Sequence, residues 1–280
     1  MAKRPISNLE YSGEEFASFF YLADEMFGID FGEWYMAGEW IDRYRCYSLT
    51  FYRNVISNVG MSRMTIVADG TAREAYQIGT VMTDEDRQGL GLATRIFKHV
   101  FKQHDADGLP YFLACDEGVE PFYEQQGFSV QLEPELFVSV SGSAAPLERV
   151  DVDAEQWRRF KLESLPFSPR LYAKDDMHIW MFHYYQGMNK DVYRFDDVHV
   201  IYLIEGTRLK LFAVLSSRPV DMRDVVARLS FEGITEIVFE FTPELDGVEQ
   251  RPSRDGQWMI RMNEEQLFLE DCRFPSLSKA

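Results

Sequence analysis

The sequence has few cysteines, no excess of positive charge and no long apolar run, and each shortage excludes a class of protein. Its three cysteines, at positions 46, 115 and 272, form no Cys-x-x-Cys pair. An odd and scattered set is typical of a reduced protein without structural disulfides. No stretch approaches the ~18 apolar residues of a membrane span, and no apolar leader follows Lys3-Arg4-Pro5. We therefore expect a cytoplasmic protein without a membrane partner.

Positive charge is scarce: 29 Lys and Arg stand against 46 Asp and Glu, which gives a net charge of −17. A nucleic-acid partner is excluded, because binding to phosphate backbones needs a basic face that replaces counterions. The acidity is typical of a solubilising surface, and it also attracts small cationic acceptors such as amines. His178 and His183 miss the i, i+4 spacing of a helical metal pair, and no zinc motif is present, so we expect no metal.

A glycine-rich stretch, Gln88-Gly89-Leu90-Gly91-Leu92-Ala93, lies between two segments of different period. The β-branched residues of 78–83 predict a strand, and the apolar spacing of 94–104 predicts a helix. The first turn of a helix has N–H groups without intrahelical acceptors and a dipole that favours anions. Glycine tolerates positive φ and allows close approach of the backbone. The stretch therefore predicts a loop that binds phosphate.

Several ligands compete for this loop. A P-loop would need Gly-Lys-Ser/Thr, and a dinucleotide fingerprint would need a third glycine where Thr94 stands. The stretch resembles, at every specified position, the Gln/Arg-x-x-Gly-x-Gly/Ala loop of the GCN5-related N-acetyltransferases (GNAT), which binds the pyrophosphate of coenzyme A. A glycine-rich turn that binds nothing is the remaining interpretation.

A second segment favours the acetyltransferase interpretation. Residues 110–115 predict a strand, and Phe122-Tyr123 and Gly127-Phe128 follow it. This pattern resembles the second acetyl-CoA motif of the GNAT family, a short helix with a tyrosine and then a Gly-Phe turn. Residues 30–35, 76–83 and 274–278 resemble bacterial acetyltransferases that pair a working N-terminal domain with a degenerate second copy. That arrangement is similar to the first two domains of the enhanced-intracellular-survival acetyltransferases.

The resemblance implies an α/β fold with a mixed sheet, the acyl-CoA N-acyltransferase fold, present in tandem. The Gly/Ser/Ala/Pro composition of 142–146 predicts a linker. We expect a catalytic domain over residues 1–141 and a degenerate one over 147–280. In the second copy the loop at 216–221 has no glycine, Pro219 removes a donor, and Asp221 adds negative charge. We expect this copy not to bind coenzyme A.

The resemblance also implies roles for individual residues. The edge of the strand before the loop would hold the pantetheine arm, and one of its N–H groups would polarise the thioester carbonyl. Tyr123 would be the general acid that protonates the leaving thiolate, although it would also serve as a packing residue. The residues expected to bind acetyl-CoA are Val81, Met82, Thr83, Gln88, Gly89, Leu90, Gly91, Leu92, Ala93 and Thr94.

The sequence does not identify the residue that acts as the general base. The histone-acetylating branch of the family has a glutamate at the place of Gln77, and an amide cannot accept a proton usefully. Glu74, Asp116 and Glu117 are nearby carboxylates. In the enhanced-intracellular-survival enzymes the terminal carboxylate enters the active site, so the resemblance proposes Ala280. Phe274 and Leu277 are expected to pin the tail that carries it.

The expected activity is N-acetyl transfer from acetyl-CoA to a primary amine by direct attack. Trp34 and Tyr35 are expected to line the acceptor pocket, with core packing as the other interpretation. Because Gln77 replaces an acid, a non-catalytic acetyl-CoA-binding or interaction protein is the alternative function. The acceptor, the pathway and the oligomeric state, a homo-oligomer included, stay open.

Overall fold

The computed structural model describes residues 5–253, 257–261 and 267–280, and it has helices packed on two mixed sheets. None of the helices in these ranges has the length and hydropathy needed to cross a membrane. The helices are α1 (Gly13–Phe27), α2 (Gly32–Met36), α3 (Leu92–His104), α4 (Glu120–Glu124), α5 (Ala154–Glu163), α6 (Met177–Tyr185) and α7 (Met222–Leu229). The strands are β1 (Ile6–Ser7), β2 (Tyr44–Phe51), β3 (Asn54–Ala68), β4 (Thr71–Thr83), β5 (Tyr111–Cys115), β6 (Ser129–Gln131), β7 (Pro134–Ser139), β8 (Glu148–Arg149), β9 (Leu171–Lys174), β10 (Val192–Phe195), β11 (Val198–Glu205), β12 (Arg208–Leu215), β13 (Glu236–Phe239), β14 (Glu249–Pro252) and β15 (Gln257–Arg261).

The first sheet has the order β1-β2-β3-β4-β5-β15-β6, and β9 pairs with β3. Its parallel pair is β4–β5, with only Tyr76 opposite Tyr111 and Gln77 opposite Phe112. Beyond that second pair β4 continues to Thr83 and β5 to Cys115 without further pairing. The two strands therefore splay apart, and the backbone of β4 from residue 78 onward is not bonded to β5.

A β-bulge bends β4 where it leaves β5. The register pairs Asn58 with Met82 and Gly60 with Gly79, so Thr80 and Val81 together oppose one residue of β3. Thr80 takes a positive φ of 49°. Its carbonyl oxygen accepts from Asn58 Nδ2 at 2.8 Å, and its hydroxyl lies 2.9 Å from the Tyr44 hydroxyl. These bonds stabilise an unusual backbone conformation at the mouth of the splay.

The helices α1 and α3 cover the first sheet by burying one apolar face each. Helix α1 begins with a capping box, in which Ser12 N donates to Glu15 Oε2 at 2.9 Å, and its C-cap is Gly28 with a φ of 67°. Its buried face includes Phe19, Leu22 and Ala23, and that of α3 includes Ile96, Phe97 and Val100. This packing directs the N-terminus of α3 toward the splay.

The second sheet repeats part of the first. Its order is β14-β7-β13-β12-β11-β10-β8, and α7 connects the parallel pair β12–β13 as α3 connects β4–β5. Helices α5 and α6 join through Trp157 and Trp180, whose rings stack at 4.7 Å. Each indole Nε1 donates to the other residue's carbonyl oxygen at 2.8 Å. These reciprocal bonds satisfy both buried indoles and fix α6, which faces α2 of the first half.

The sheets exchange strands across the predicted linker at 142–146. Strand β7 precedes the linker but lies in the second sheet between β14 and β13. Strand β15 follows the linker but lies in the first sheet between β5 and β6. The predicted division along the chain, 1–141 and 147–280, therefore does not coincide with a division between the sheets.

This exchange predicts that neither part folds alone. A fragment of residues 1–141 lacks β15 and with it the buried side chains of Trp258 and Met259, and a fragment of 147–280 lacks an interior strand of its sheet. We expect each fragment to give no cooperative thermal transition by circular dichroism, while the full chain gives one. A fragment 1–141 that unfolds cooperatively and shows a dispersed amide NMR spectrum would contradict the exchange.

Candidate active site

A cleft opens between the splayed strands β4 and β5 at the N-terminus of α3. Its volume is about 630 Å³, within the range of sites that hold small molecules and cofactors. The stretch of β4 from Ile78 to Thr83, which pairs with β3 but not with β5, forms one wall, and the end of β5 with α4 forms the other. The cleft therefore exposes main-chain donors and acceptors along one side and a helix N-terminus at one end.

The glycine loop has the conformation that the sequence predicted. Gly89 and Gly91 take positive φ angles of 72° and 71°, and Gly91 is the N-cap of α3. A Cβ atom at either position would meet nothing within 4 Å, so backbone conformation and not space requires glycine here. Gly91 brings no side chain to cap the helix, which leaves the first-turn N–H groups directed to the cleft.

Most of the residues predicted to bind acetyl-CoA line this cleft. Leu90 is the exception, because its side chain is 68% exposed at the tip of the loop and does not contribute to the lining. The Leu90 side chain therefore lies outside the cleft. The predicted residues that do line the cleft are Val81, Met82, Thr83, Gln88, Gly89, Gly91, Leu92, Ala93 and Thr94.

Tyr123 also lines the cleft, from the short helix α4. Its ring packs edge-on against Phe97 of α3 at 6.2 Å and against Phe128 at 6.1 Å, which fixes its direction. Burial raises the pKa of the Tyr123 phenol well above its ordinary value, and Cys115 and Asp116 add to the effect. The phenol is therefore protonated at neutral pH and can donate a hydrogen bond into the cleft.

The C-terminal tail is held firmly against the junction of the two sheets. Phe274 and Leu277 are 0% and 2% exposed, as expected of anchors. Phe274 N donates to Glu133 Oε1 at 2.7 Å, and Lys279 Nζ reaches Glu133 Oε2 at 3.2 Å. His183 of α6 lies with Nε2 3.2 Å from the Lys279 carbonyl oxygen. These contacts fix the position of the residue that follows.

Ala280 lies against β4 inside the splay. Its N–H donates to Gln77 Oε1 at 2.9 Å, and Gln77 is 1% exposed. A Cβ atom on Gly79 would come within 3.2 Å of the Ala280 carbonyl carbon and oxygen, so glycine leaves room for the tail. The amide of Gln77 cannot serve as a base, and here it holds the tail in the cleft.

A second, smaller cavity of about 190 Å³ adjoins the cleft on the side of α1, α2 and α6. Phe27, Thr80 and Ala280 line both spaces, so the two meet at the bulge of β4. The wall is mostly aromatic, and its polar members include Ser62 and His178. The lining residues are Phe27, Ile29, Phe31, Trp34, Tyr44, Ser62, Thr80, His178, Ile179, Phe182 and Ala280.

The two residues predicted for an acceptor pocket have different positions. Trp34 lines the second cavity, is 2% exposed, and donates from Nε1 to the His178 carbonyl oxygen at 2.9 Å. Tyr35, the next residue of α2, points the other way and packs on Phe16 with ring centroids 4.7 Å apart. Because neighbouring helical residues face different directions, only Trp34 is retained for the pocket.

Reasoning from sequence missed His178. It is buried, its Nε2 lies 3.0 Å from Ser62 Oγ, and burial lowers the pKa of its imidazole to about 4. The ring is therefore neutral at pH 7. Its partner in β3 lies more than a hundred residues away in the chain, so the local pattern of α6 could not reveal the contact.

The three carboxylates considered as the general base, Glu74, Asp116 and Glu117, also differ in their positions relative to the cleft. Glu74 pairs with Arg63, Oε2 to Nη2 at 2.8 Å, and this hydrogen-bonded pair lowers the pKa of Glu74. Glu117 is exposed and does not line the cleft, whereas Asp116 does. Of the three candidates, only Asp116 is placed to take part in chemistry there.

The corresponding loop of the second sheet is closed to anions by its own side chains. Asp221 caps α7 by accepting from Arg223 N at 2.9 Å, and its other oxygen pairs with the Arg223 guanidinium at 2.6 Å. Pro219 has no N–H to offer. A carboxylate thus occupies the place where the first half leaves its helix N-terminus open.

Comparisons with known proteins agree with this geometry. Residues 16–128 match the model of the acetyltransferase (GNAT) family, a range that contains the glycine loop and Tyr123. A search of curated proteins finds no significant match.

Solved structures resemble nearly the whole chain. A conserved protein of unknown function and probable N-acyltransferase from Enterococcus faecalis has 15% identity and a TM-score of 0.58, with 96% of this chain and 75% of that chain covered. Eis1 from Mycobacterium abscessus has 12% identity and a TM-score of 0.62, with 91% and 73% covered. A GCN5-related N-acetyltransferase from Kribbella flavida has 11% identity and a TM-score of 0.57, with 93% and 72% covered. At these identities the likeness establishes the fold, and it confirms the predicted α/β class of the acyl-CoA N-acyltransferases.

Proposed function

We propose that this protein is an N-acetyltransferase that moves the acetyl group of acetyl-CoA to a primary amine, in line with the match of residues 16–128 to the acetyltransferase (GNAT) family model. The observation that carries the proposal is the meeting of two spaces at one point. A cofactor-sized cleft and a smaller aromatic cavity share Phe27, Thr80 and Ala280. Two substrates bound there would have their reacting ends in contact, which supplies much of the acceleration of a transfer reaction.

Acetyl-CoA would bind with its pyrophosphate at the N-terminus of α3. The free N–H groups of the first turn and the helix dipole stabilise the negative charge. The pantetheine arm would pair with Val81, Met82 and Thr83 along the edge of β4 that β5 leaves free. This pairing brings the thioester to the bulge at Thr80, where a main-chain N–H can donate to the carbonyl oxygen as charge develops.

The transfer itself requires two proton movements. The lone pair of the neutral amine attacks the thioester carbon, the C–S bond then breaks, and the thiolate leaves with its electron pair. Tyr123, protonated and facing the cleft, would donate to the sulfur as this charge appears. The amine nitrogen gives up its extra proton to a base on the acceptor side. No covalent bond to the enzyme forms.

We assign the base to the carboxylate of Ala280. Main-chain contacts and Gln77 hold this residue where the two spaces meet. This role requires that Ala280 ends the working chain, which the intact mass of the natively expressed protein checks. Asp116 lines the cleft beside Tyr123 and is the second candidate. The second sheet would serve as scaffold, since Asp221 and Pro219 occupy its loop.

Acetyl-CoA binding can be tested at the glycine loop. Gly91→Asp adds a carboxylate beside the pyrophosphate and strains a positive φ, so calorimetry should show at least a hundredfold weaker binding of acetyl-CoA. Gly206→Asp is the matched control, because Gly206 also has a positive φ, of 63°, and open space around it. Equal affinity in the two folded variants would remove the assignment of the loop.

The role of Tyr123 can be tested by removing its hydroxyl. Tyr123→Phe should keep acetyl-CoA affinity within a few-fold and lower kcat by roughly 10²–10⁴, the usual contribution of a positioned acid. Tyr52→Phe, at a side chain that is 85% exposed, controls for the loss of a phenol. If Tyr123→Phe turns over at the wild-type rate, its ring only packs α4 on the sheet.

The tail can be tested with three independent variants. Deleting Ala280, or extending the chain by two glycines, moves the carboxylate, and Gly79→Ala pushes it away from β4. We expect each change to lower turnover at least tenfold, with acetyl-CoA affinity and melting temperature nearly unchanged. Gly13→Ala, at a glycine with nothing within 4 Å, is the control. Normal turnover in all three variants would reject the Ala280 carboxylate and leave Asp116.

A further inference from the structure

The second cavity has a wall that suits an apolar body. Phe31, Trp34, Tyr44 and Phe182 line it with ring centroids 5.2–6.5 Å apart in the pairs that contact. Because the rings contact one another, they form a continuous wall and do not surround a separate space as a cage would. Ile29 and Ile179 complete it. Such a surface gains most from an aromatic ring or a compact apolar group.

Charge is missing from this wall. Among the described residues that line the cavity, none is Asp, Glu, Lys or Arg. The carboxylate proposed for Ala280, where the cavity meets the cleft, would accompany one ammonium group. A second ammonium group deeper inside would lose its hydration without gaining a counter-charge. The attraction of an ammonium to an aromatic face is smaller than this free energy of desolvation. The cavity therefore disfavours acceptors that carry several positive charges.

One of the residues that line this space has a buried polar atom without a partner among the described residues. His178 is 2% exposed and lines the cavity, and its Nε2 is occupied by Ser62. Its Nδ1 is buried and has no hydrogen-bond partner among the described residues. An unsatisfied buried nitrogen is costly, so a ligand group that bonds to it would be favoured. A hydroxyl suits either tautomer of the neutral ring, because it can both donate and accept.

Size limits the acceptor further. A cavity of about 150 Å³ lined by apolar side chains holds a benzene molecule in another protein. The volume here is about 190 Å³. There is room for one ring and a short chain, and not for the linked sugars of an aminoglycoside.

We infer that the acceptor is a primary monoamine with one aromatic or compact apolar body and a hydroxyl at its far end, as in tyramine. The amine would lie at the bulge beside the thioester, the ring against Phe31 and Trp34, and the hydroxyl at His178 Nδ1. This inference rests on the proposed function for the placement of the amine. It narrows the expectation that the overall acidity attracts small cationic acceptors, since it selects those with a single positive charge.

The experiment compares amines of different body and charge. Thiol release from acetyl-CoA would be followed with tyramine, phenethylamine, spermidine and kanamycin. Calorimetry would measure binding of the same amines to the CoA-bound protein. We expect kcat/KM for tyramine to exceed that for spermidine or kanamycin at least a hundredfold, and that for phenethylamine about tenfold. Spermidine or kanamycin turned over as well as tyramine would overturn the inference and leave the proposed function intact.

Two variants test the contacts separately. His178→Leu should abolish the tenfold preference for tyramine over phenethylamine, and His199→Leu, a half-buried histidine outside the cavity, should keep it. Phe27→Glu, at a rim side chain that is 45% exposed, adds the missing carboxylate and should raise kcat/KM for spermidine about tenfold. An unchanged preference in His178→Leu would reject the histidine contact.

Binding separates this inference from the proposed function. In one outcome tyramine binds the CoA-bound protein, with lower affinity in His178→Leu, and is never acetylated. That result would support the pocket and reject the transferase activity. Absence of tyramine binding to a protein that acetylates other amines would reject the pocket alone.

Discussion

The separation of β4 from β5 after Gln77 and Phe112 is the constraint on which the rest of the site depends. Two parallel strands would normally stay paired, and here the bulge at Thr80 bends β4 away. Thr80 adopts a positive φ that a β-branched residue seldom takes, and bonds from Asn58 and Tyr44 stabilise it. The result is an unpaired strand edge beside an open helix N-terminus. In the proposed function both features would hold a long, charged cosubstrate in an extended form.

The site is built from both halves of the chain, although the catalytic motifs lie in the first. Strand exchange joins the sheets, α6 contributes His178 and Phe182 to the second cavity, and the tail returns to β4. Arg273 secures this return: it is 1% exposed and pairs with Glu240 at 2.6 Å. Removing one partner of such a pair typically costs about 3–5 kcal/mol, because a buried charge is left unpaired. The second half thus contributes part of the wall of the second cavity and the tail that lies against β4.

Local sequence patterns were enough to predict the strand at 78–83, the glycine loop that follows it and the anchoring of Phe274 and Leu277. Each depends on neighbours within a few residues or on a motif. The strand exchange joins distant parts of the chain, and no local pattern encodes it. The same is true of two hydrogen-bonded contacts: His178 and Ser62 are 116 positions apart, and Ala280 and Gln77 are 203 positions apart. The side chains of Leu90 and Tyr35 lie outside the two cavities for a related reason. A motif names a segment, whereas the direction of each side chain depends on the packing around it.

The most direct test of this account is the crystal structure of the protein with a bisubstrate analogue, in which tyramine is joined through an acetyl linker to the sulfur of CoA. The account predicts the pyrophosphate about 3 Å from the N–H groups of residues 92–94. It also predicts the pantetheine arm along residues 81–83, the sulfur near Tyr123, and the phenol ring in the cavity of Trp34 and His178. An analogue bound at residues 216–221, or with its ring outside the second cavity, would contradict it.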